Sequence, residues 1–355
     1  MTTLHLLGLP HTQLTWDYVA CAYSGKILRL SSMLTDLGHK VYLYAGEETD
    51  ARCEELVTVV TVEDRAEWFP DYDFGTQVWN GFDVDAIHWR TMNDRAIVAI
   101  RQRIGPGDII GVTAGWCQKQ VADAFPDHLI CEVGVGYLGV FAPFRVFESQ
   151  AWRNFLAAKE PTDDLRWFDC VIANSYEDHE FSPSYTPGDY LLYLGRMTPR
   201  KGLPVVQEIT RRTGLPVFTA GQGDERIDGA THLGMIRGKE KADLLAGARA
   251  VMVPTTYLEP FGGVAVEAQL SGTPVITTNH AVFCETVEHG LTGFRCDMLD
   301  EFMTAVDRVA DLDRHIVRRV AAAKYLTSVT GPQYETYFER LGTLHGDGWY
   351  EGRMI

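Results

Sequence analysis

Short runs of apolar residues recur along the chain and alternate with segments in which apolar residues return every three or four positions. The first pattern predicts buried β-strands and the second predicts helices, and their alternation is typical of parallel sheets covered by helices. The predicted strands are Leu4–Leu9, Lys40–Ala45, Asp108–Thr113, His128–Val133, Cys170–Asn174, Tyr190–Leu194, Pro216–Ala220, Ala250–Pro254 and Pro274–Thr278. The predicted helices are Gly25–Leu37, Leu203–Thr213, Gly262–Leu270, Leu299–Ala310 and Arg314–Leu326.

A break in this rhythm follows Asn174, where serine, proline, glycine and acidic residues are frequent between positions 175 and 189. Such a composition is typical of a connection between domains. A chain of 355 residues is also too long for one ordinary hydrophobic core. We therefore expect an α/β protein of two Rossmann-like domains, residues 1–185 and 186–330, whose parallel sheets face each other across a cleft.

Composition and charge narrow the class of protein. With 46% hydrophobic and 23% charged residues, the chain resembles a soluble globular protein, and no apolar run approaches the roughly 20 residues of a membrane span. The seven cysteines contain no Cys-x-x-Cys pair, and the N-terminus has no basic leader, so we expect a reducing, cytoplasmic location. The formal net charge of −16 disfavours nucleic acid as a partner, because phosphates are bound by cations.

The richest candidate chemistry follows the predicted strand that ends at Pro254. A loop carries Glu259, the pair Gly262 and Gly263 then opens a predicted helix, and Glu267 lies one turn inside that helix. Ligands of open α/β sheets bind at the carboxyl ends of the strands, and free N–H groups at a helix start suit a phosphate or a sugar hydroxyl. The Glu267 carboxylate could accept hydrogen bonds from both hydroxyls of a ribose.

A second group of candidates follows the predicted strand Tyr190–Leu194. Gly195 allows a tight turn, and Arg196 and Lys201 place two cations at the strand end. A guanidinium and an ammonium there could neutralise a diphosphate, both when it binds and when it leaves.

Together these residues resemble the retaining nucleotide-sugar glycosyltransferases of family four, also called group 1, whose architecture of two Rossmann-like domains is named GT-B. The matching motifs are Gly195-Arg196 with Lys201-Gly202, the turn Ala220-Gly221-Gln222-Gly223, Glu259-Pro260-Phe261-Gly262 with Glu267 eight residues after the first acid, and Gly272-Thr273-Pro274-Val275. They cover essentially the second half of the chain.

The resemblance implies roles for these positions. Arg196 and Lys201 would hold the donor diphosphate, Glu267 the ribose, and Glu259 the transferred sugar near the reacting centre. The other implied donor-binding residues are Gly195, Gly221, Met235, Ile236, Phe261, Gly262 and Gly263, with the peptide of Met235 and Ile236 beside the base. The resemblance further implies retention at the anomeric carbon, a UDP- or GDP-sugar as co-substrate, no obligatory cofactor, no metal, and a C-terminal helix of about residues 331–355 packed back on the first domain.

The first half departs from the family pattern, because Pro10-His11-Thr12-Gln13 replaces a glycine pair and Thr113 to Cys117 replaces a histidine segment. His11 is our catalytic candidate there, since it lies at the carboxyl end of the first predicted strand. Trp116, Glu132 and Tyr137 are the acceptor-side candidates.

Two lookalike motifs receive other interpretations. Gly134-x-Gly136-x-x-Gly139 fits a dinucleotide fingerprint, but bulky neighbours and Pro143 favour a loop that lines the cleft. The pairs Asp71/Asp73 and Asp83/Asp85 are interpreted as solvated turns rather than a metal site.

The acceptor stays open in the sequence, as does the oligomeric state. It could be a glycan, a lipid-linked molecule, a small molecule or, against the net charge, a hydroxymethylated base in DNA. A non-catalytic nucleotide-sugar binding protein is the alternative outside enzymes, although Arg196, Lys201, Glu259 and Glu267 are all intact.

Overall fold

The computed structural model describes residues 1–77, 79, 81–160, 166 and 168–345, with side chains up to residue 343. Its strands are β1 Thr3–Leu7, β2 Lys40–Ala45, β3 Glu55–Thr58, β4 Ile109–Val112, β5 Leu129–Val135, β6 Phe144–Phe147, β7 Asp169–Val171, β8 Leu191–Leu194, β9 Val217–Ala220, β10 Thr231–His232, β11 Ala250–Val253, β12 Val275–Thr278 and β13 Gly293–Cys296. Its helices are α1 Ala22–Asp36, α2 Val62–Trp68, α3 Ile87–Arg101, α4 Lys119–Asp123, α5 Gln150–Ala157, α6 Leu203–Arg212, α7 Gly238–Gly247, α8 Gly263–Leu270, α9 Phe283–Thr286, α10 Leu299–Arg308, α11 Arg314–Tyr325 and α12 Thr327–His345.

The strands form two separate parallel sheets. The first has the order β3-β2-β1-β4-β5-β6-β7 and the second the order β10-β9-β8-β11-β12-β13. In each sheet the chain reverses its direction of progress beside the first strand, and ligands of such sheets bind at that point, beyond the carboxyl ends of the strands. The expected pair of parallel α/β units is confirmed, and we call the units around the first and second sheets the first and second domain.

Most predicted elements are present within a few residues. The strand Lys40–Ala45 has the predicted bounds, and α1 begins three residues before the predicted Gly25. The strand predicted from Cys170 to Asn174 ends early, at Val171. The elements that the pattern missed are mostly short, namely β3, β6, β10, β13, α2, α4, α5, α7 and α9, together with the longer α3.

The last helix of the described chain returns to the first domain. Tyr334, Tyr337, Phe338 and Leu341 of α12 are buried in the first-domain core, and the Tyr337 hydroxyl donates to the Phe168 carbonyl at 2.9 Å. Of the expected packing segment, residues 346–355 lie outside the described part. Among the described residues, no helix has both the length and the apolar character that crossing a bilayer requires.

The connection between the domains is held by ion pairs. Glu180 accepts two hydrogen bonds from Arg29 of α1, at 2.7 and 2.5 Å, and Glu177 accepts one from Arg52 at 3.0 Å. Asp178 between them pairs with an arginine of α11. The short acidic segment is therefore fastened to both domains.

Candidate functional site

A cavity of about 510 Å³ lies between the two domains, where strand ends of both sheets meet. Each donor-side residue expected from the sequence lines it, namely Gly195, Arg196, Lys201, Gly221, Met235, Ile236, Phe261, Gly262, Gly263 and Glu267. Both catalytic candidates, Glu259 and His11, line it as well. The folded chain thus gathers these twelve positions from both halves of the sequence around one space.

The turn after β8 places Lys201 in contact with Glu259. Gly202 has a φ of +84°, and a Cβ there would lie 2.0 Å from the Pro254 carbonyl oxygen, so only glycine lets the turn pack on the end of β11. Lys201 Nζ donates to Glu259 Oε1, and both side chains are nearly buried. Burial by itself would lower the pKa of Lys201, but Glu259 and Tyr257 together outweigh it and the pKa is raised. The lysine is therefore a fixed cation at this strand end.

Glu259 and Arg196 offer polar groups to a ligand at this end of the cavity. Glu259 Oε2 is buried and has no hydrogen-bond partner among the described residues. Arg196 is exposed and lines the cavity. A cation next to an acid with one free oxygen can receive a phosphate and a hydroxyl side by side.

Glu267 reaches the cavity from the first turns of α8. The helix begins after Gly262, which has a φ of +71°. A Cβ added there would lie 2.8 Å from the Phe283 ring, so any residue larger than glycine would be strained at this position. Glu267 forms an ion pair of 2.8 Å with Lys241 of α7. The sequence analysis missed Lys241, which also lines the cavity.

Two glycine turns place the peptide of Met235 and Ile236 at the cavity. Gly221 has a φ of +136°, and an added Cβ would lie 2.0 Å from the Gly195 carbonyl oxygen, so the turns after β8 and β9 touch through their backbones. The Gly221 N–H donates to the Gly234 carbonyl at 2.9 Å. This bond positions the following residues, Met235 and Ile236, at the cavity.

His11 lies on the opposite, first-domain side of the cavity. Its ring stacks on Trp79 with centroids 3.7 Å apart and an interplanar angle of 7°. Burial, with a smaller contribution from His88, lowers the pKa of His11 to about 3. The imidazole is therefore uncharged near neutral pH.

The three acceptor-side candidates do not line this cavity. Glu132 is fully buried and accepts hydrogen bonds from the backbone N–H groups of Phe141 and Ala142, both at 2.9 Å. The Tyr137 hydroxyl donates to Glu132 at 3.3 Å, and Trp116 packs beside the loop at Gly139. Burial raises the pKa of Glu132 to about 7, although these hydrogen bonds oppose the rise. Glu132 and Tyr137 therefore hold the loop 136–143, and Trp116 lies against that loop at the surface.

The first-domain side instead presents residues that the sequence analysis did not single out. Tyr23, Lys26 and Arg29 of α1 line the cavity together with Glu148, and Lys26 Nζ lies 2.5 Å from Glu148 Oε1. The spacing of three residues between Tyr23, Lys26 and Arg29 places them on one face of α1. That spacing is the signal that could have found them.

Between α2 and α3, the residues around Phe74 reach over to contact the second domain. Gln222 Nε2 donates to the Phe74 carbonyl, and the Arg237 guanidinium lies 5.5 Å from the Phe74 ring centroid. The acidic pairs of this segment serve local turns: Asp73 accepts from the Gly75 N–H at 2.7 Å, and Asp83 from the Asp85 N–H at 3.0 Å.

Comparison with known proteins gives a family for the second domain. Residues 188–311 match the family model described as glycosyl transferases group 1. The chain is 35% identical over 153 residues to a glycogen synthase of Mycobacterium tuberculosis, which is 38% of this chain and 37% of that one. It is 32% identical over 179 residues to a phosphatidyl-myo-inositol mannosyltransferase of Propionibacterium freudenreichii subsp. shermanii, 46% of each chain. The matched stretch therefore spans less than half the length of these curated relatives.

Solved structures match nearly the whole chain. AviGT4, a glycosyltransferase of avilamycin A biosynthesis, superposes with a TM-score of 0.68 at 17% identity over 97% of this chain and 98% of that one. HepE of Anabaena, solved with UDP and glucose, gives 0.69 at 15% identity over 96% and 100%. The sucrose-phosphate synthase of Thermosynechococcus elongatus gives 0.71 at 16% identity over 97% and 100%. These structures confirm the GT-B fold.

Proposed function

We propose that this chain, whose residues 188–311 form a group 1 glycosyl transferase domain, moves a sugar from a nucleoside-diphosphate sugar to a hydroxyl acceptor with retention at the anomeric carbon. One observation carries the proposal: Arg196, Lys201, Glu259 and Glu267 line the same cavity between the domains. A diphosphate needs cations, a ribose needs a hydrogen-bond acceptor, and both needs are met within this space. The second domain then binds the donor, and the first domain supplies the acceptor side.

The donor would lie along the carboxyl ends of β8, β9 and β11. Arg196 and Lys201 bind the diphosphate, Glu267 accepts hydrogen bonds from the ribose hydroxyls, and the peptide of Met235 and Ile236 packs beside the base. Glu259 contacts the transferred sugar through the oxygen that Lys201 does not occupy. HepE of Anabaena, which shares the fold, has been solved with UDP and glucose, and of the two expected donors, a UDP- or a GDP-sugar, this supports the UDP-sugar.

The transfer requires one bond to break and one to form at the anomeric carbon. The bond from this carbon to the donor phosphate oxygen breaks, and the bond to the acceptor oxygen forms on the same face. The proton of the acceptor hydroxyl passes to the leaving diphosphate, so the products are a glycoside and a nucleoside diphosphate. Lys201 and Arg196 stabilise the charge that gathers on the leaving group, which is the part of the barrier that fixed cations lower most.

The location proposed for this reaction is the cytoplasm. All seven cysteines are free thiols, and free thiols are typical of a reducing compartment.

The test is a donor panel. Purified chain is incubated with uridine, guanosine, adenosine and thymidine diphosphate sugars, and released nucleoside diphosphate is measured with and without acceptors. We expect one donor to release its diphosphate, and the same free diphosphate to raise the melting temperature by mass action. Thermal shifts without any turnover would identify a nucleotide-sugar binding protein instead. Transfer only onto hydroxymethylated DNA would identify the nucleic acid alternative.

A further inference from the structure

Four aromatic side chains form a continuous surface on the first-domain side of the cavity. We call this surface the aromatic wall, and its members are His11, Tyr23, Trp79 and Phe82, each of which lines the cavity. His11 stacks on Trp79, the Trp79 and Phe82 centroids are 4.9 Å apart, and those of Phe82 and Tyr23 are 6.2 Å apart. These separations are those of interacting aromatic pairs.

The aromatic wall is attached to the core of the first domain. Trp89 of α3 is fully buried, and its Nε1 donates to the Gly81 carbonyl at 2.8 Å. The same indole lies 6.1 Å from the Trp79 ring, measured between centroids. The ring faces are therefore held in place before any ligand arrives, which reduces the entropy lost on binding.

The aromatic wall and the proposed reaction centre border the same cavity. His11, Tyr23, Trp79 and Phe82 line it from the first domain, and Arg196, Lys201 and Glu259 line it from the second. A ring bound on the aromatic wall would therefore share this space with the transferred sugar.

The cations on this side of the cavity are already neutralised. Lys26 pairs with Glu148, and both side chains are 8% exposed. Arg29 is bonded through two nitrogens to Glu180. An anionic acceptor would have to displace a carboxylate from a buried pair, and breaking such a pair is costly because it leaves a charge uncompensated.

We propose that the aromatic wall is the acceptor subsite and that it receives the flat apolar face of a neutral, hydroxyl-bearing ring. Two sources share this chemistry: an aryl alcohol, whose ring stacks directly, and a pyranose, whose C–H face packs on aromatic rings. The inference rests on the proposed transferase function, because it assigns the acceptor of that same reaction.

The first arm of the test compares acceptors with the best donor of the panel. The probes are 4-methylumbelliferone, methyl β-glucopyranoside and methyl β-glucopyranoside 6-phosphate. We expect one of the two neutral probes to be used at least tenfold better, in kcat/KM, than the 6-phosphate. The better neutral probe identifies which source supplies the ring.

The second arm removes one ring. Phe82 is 45% exposed, so Phe82→Ala leaves the core intact, and we expect it to raise the KM of the accepted ring about tenfold, or about 1.4 kcal/mol, with a much smaller change in kcat. Phe82→Tyr keeps the ring and should stay within twofold of the unmodified chain. The matched control is Val98→Ala, which shortens a similarly exposed apolar side chain on α3.

The outcomes separate the two proposals. Absence of nucleoside diphosphate release from every donor would contradict the transferase function itself. If diphosphate is released, three results would overturn the acceptor subsite without contradicting the donor site. They are a preference for the 6-phosphate, no reaction with either neutral probe, and an unchanged KM in Phe82→Ala.

Discussion

In the second domain, Glu259 and Glu267 line the cavity, and each is paired with a lysine. In the first domain, Glu132 lies on β5, is fully buried, and accepts two hydrogen bonds from the backbone of its own loop. The two domains share the strand order around their first strand, yet Glu132 serves a different purpose from the two acids of the second domain, and also from Glu148 of its own domain, which pairs with Lys26 at the cavity. A carboxylate satisfied by backbone N–H groups becomes part of the fold, whereas one that is paired with a lysine at the edge of the cavity stays available to a ligand.

The largest effect that would test this contrast is expected for Lys201→Ala. The change removes a cation from the leaving group and leaves Glu259 buried without its partner. We therefore expect kcat/KM to fall by the factor that corresponds to a rise of roughly 2–4 kcal/mol in activation free energy. The measurement is steady-state release of nucleoside diphosphate. Lys239→Ala, which removes an exposed lysine of the same domain, is the control. Unchanged turnover in Lys201→Ala would contradict the assignment of the diphosphate site.

The next largest effect is the one that Glu132 has on how the stability of the protein depends on pH. Burial raises its pKa from 4.5 to about 7, so the folded chain keeps a proton that the unfolded chain releases. The free energy of unfolding should therefore fall as the pH rises from about 4.5 to about 7, by up to about 3 kcal/mol, and level off above. Glu132→Gln cannot titrate, but it retains an oxygen for the loop, and it should lose this part of the pH dependence. Urea unfolding of both proteins at pH 5 and pH 7.5 measures the difference. If the free energy of unfolding changed equally between these two pH values in both proteins, the structural role of Glu132 would be contradicted.

The smallest effect is expected for the ribose contact. Glu267→Ala should raise the dissociation constant of the nucleoside diphosphate about tenfold, because hydrogen bonds to a charged acceptor are lost. Lys241→Ala should raise it less, since this partly exposed partner only orients the carboxylate. Calorimetric titration gives both constants. A larger effect of Lys241→Ala would mean that the lysine, and not the acid, contacts the donor.

The second-domain lining of the cavity could be predicted because its signals are local. Gly202, Gly221 and Gly262 have positive φ values at turns that directly follow or precede strand and helix ends, and Lys201 and Glu267 are a few residues from such turns. Spacing along the chain is enough to find residues of this kind, and the same is true of the longer strands and of α6, α8 and α11.

The first-domain lining of the cavity could not be predicted in the same way. Trp79 and Phe82 lie outside the described helices and strands, and the Trp79 ring meets the His11 ring only once the chain has folded. Helix α3 lacks a capping side chain at Ala86, so its start is not marked, and β6 has only four residues, which are too few to show a period. A sequence pattern reports distances along the chain, and it does not report which loop folds over which strand end.

The route of the backbone has a practical consequence for dividing this protein. The chain leaves the first domain at Tyr176 and re-enters it at Thr327, and these two passages are hydrogen-bonded side by side, with 2.9 Å between the Thr327 nitrogen and the Tyr176 carbonyl oxygen. Residues 1–185 produced alone would lack α12, and Met33 would lose the cover it has near Gly331. The second domain is one uninterrupted stretch of chain, so it can be cut out as a single piece. The first domain consists of two stretches, and a short linker would have to join them at Tyr176 and Thr327.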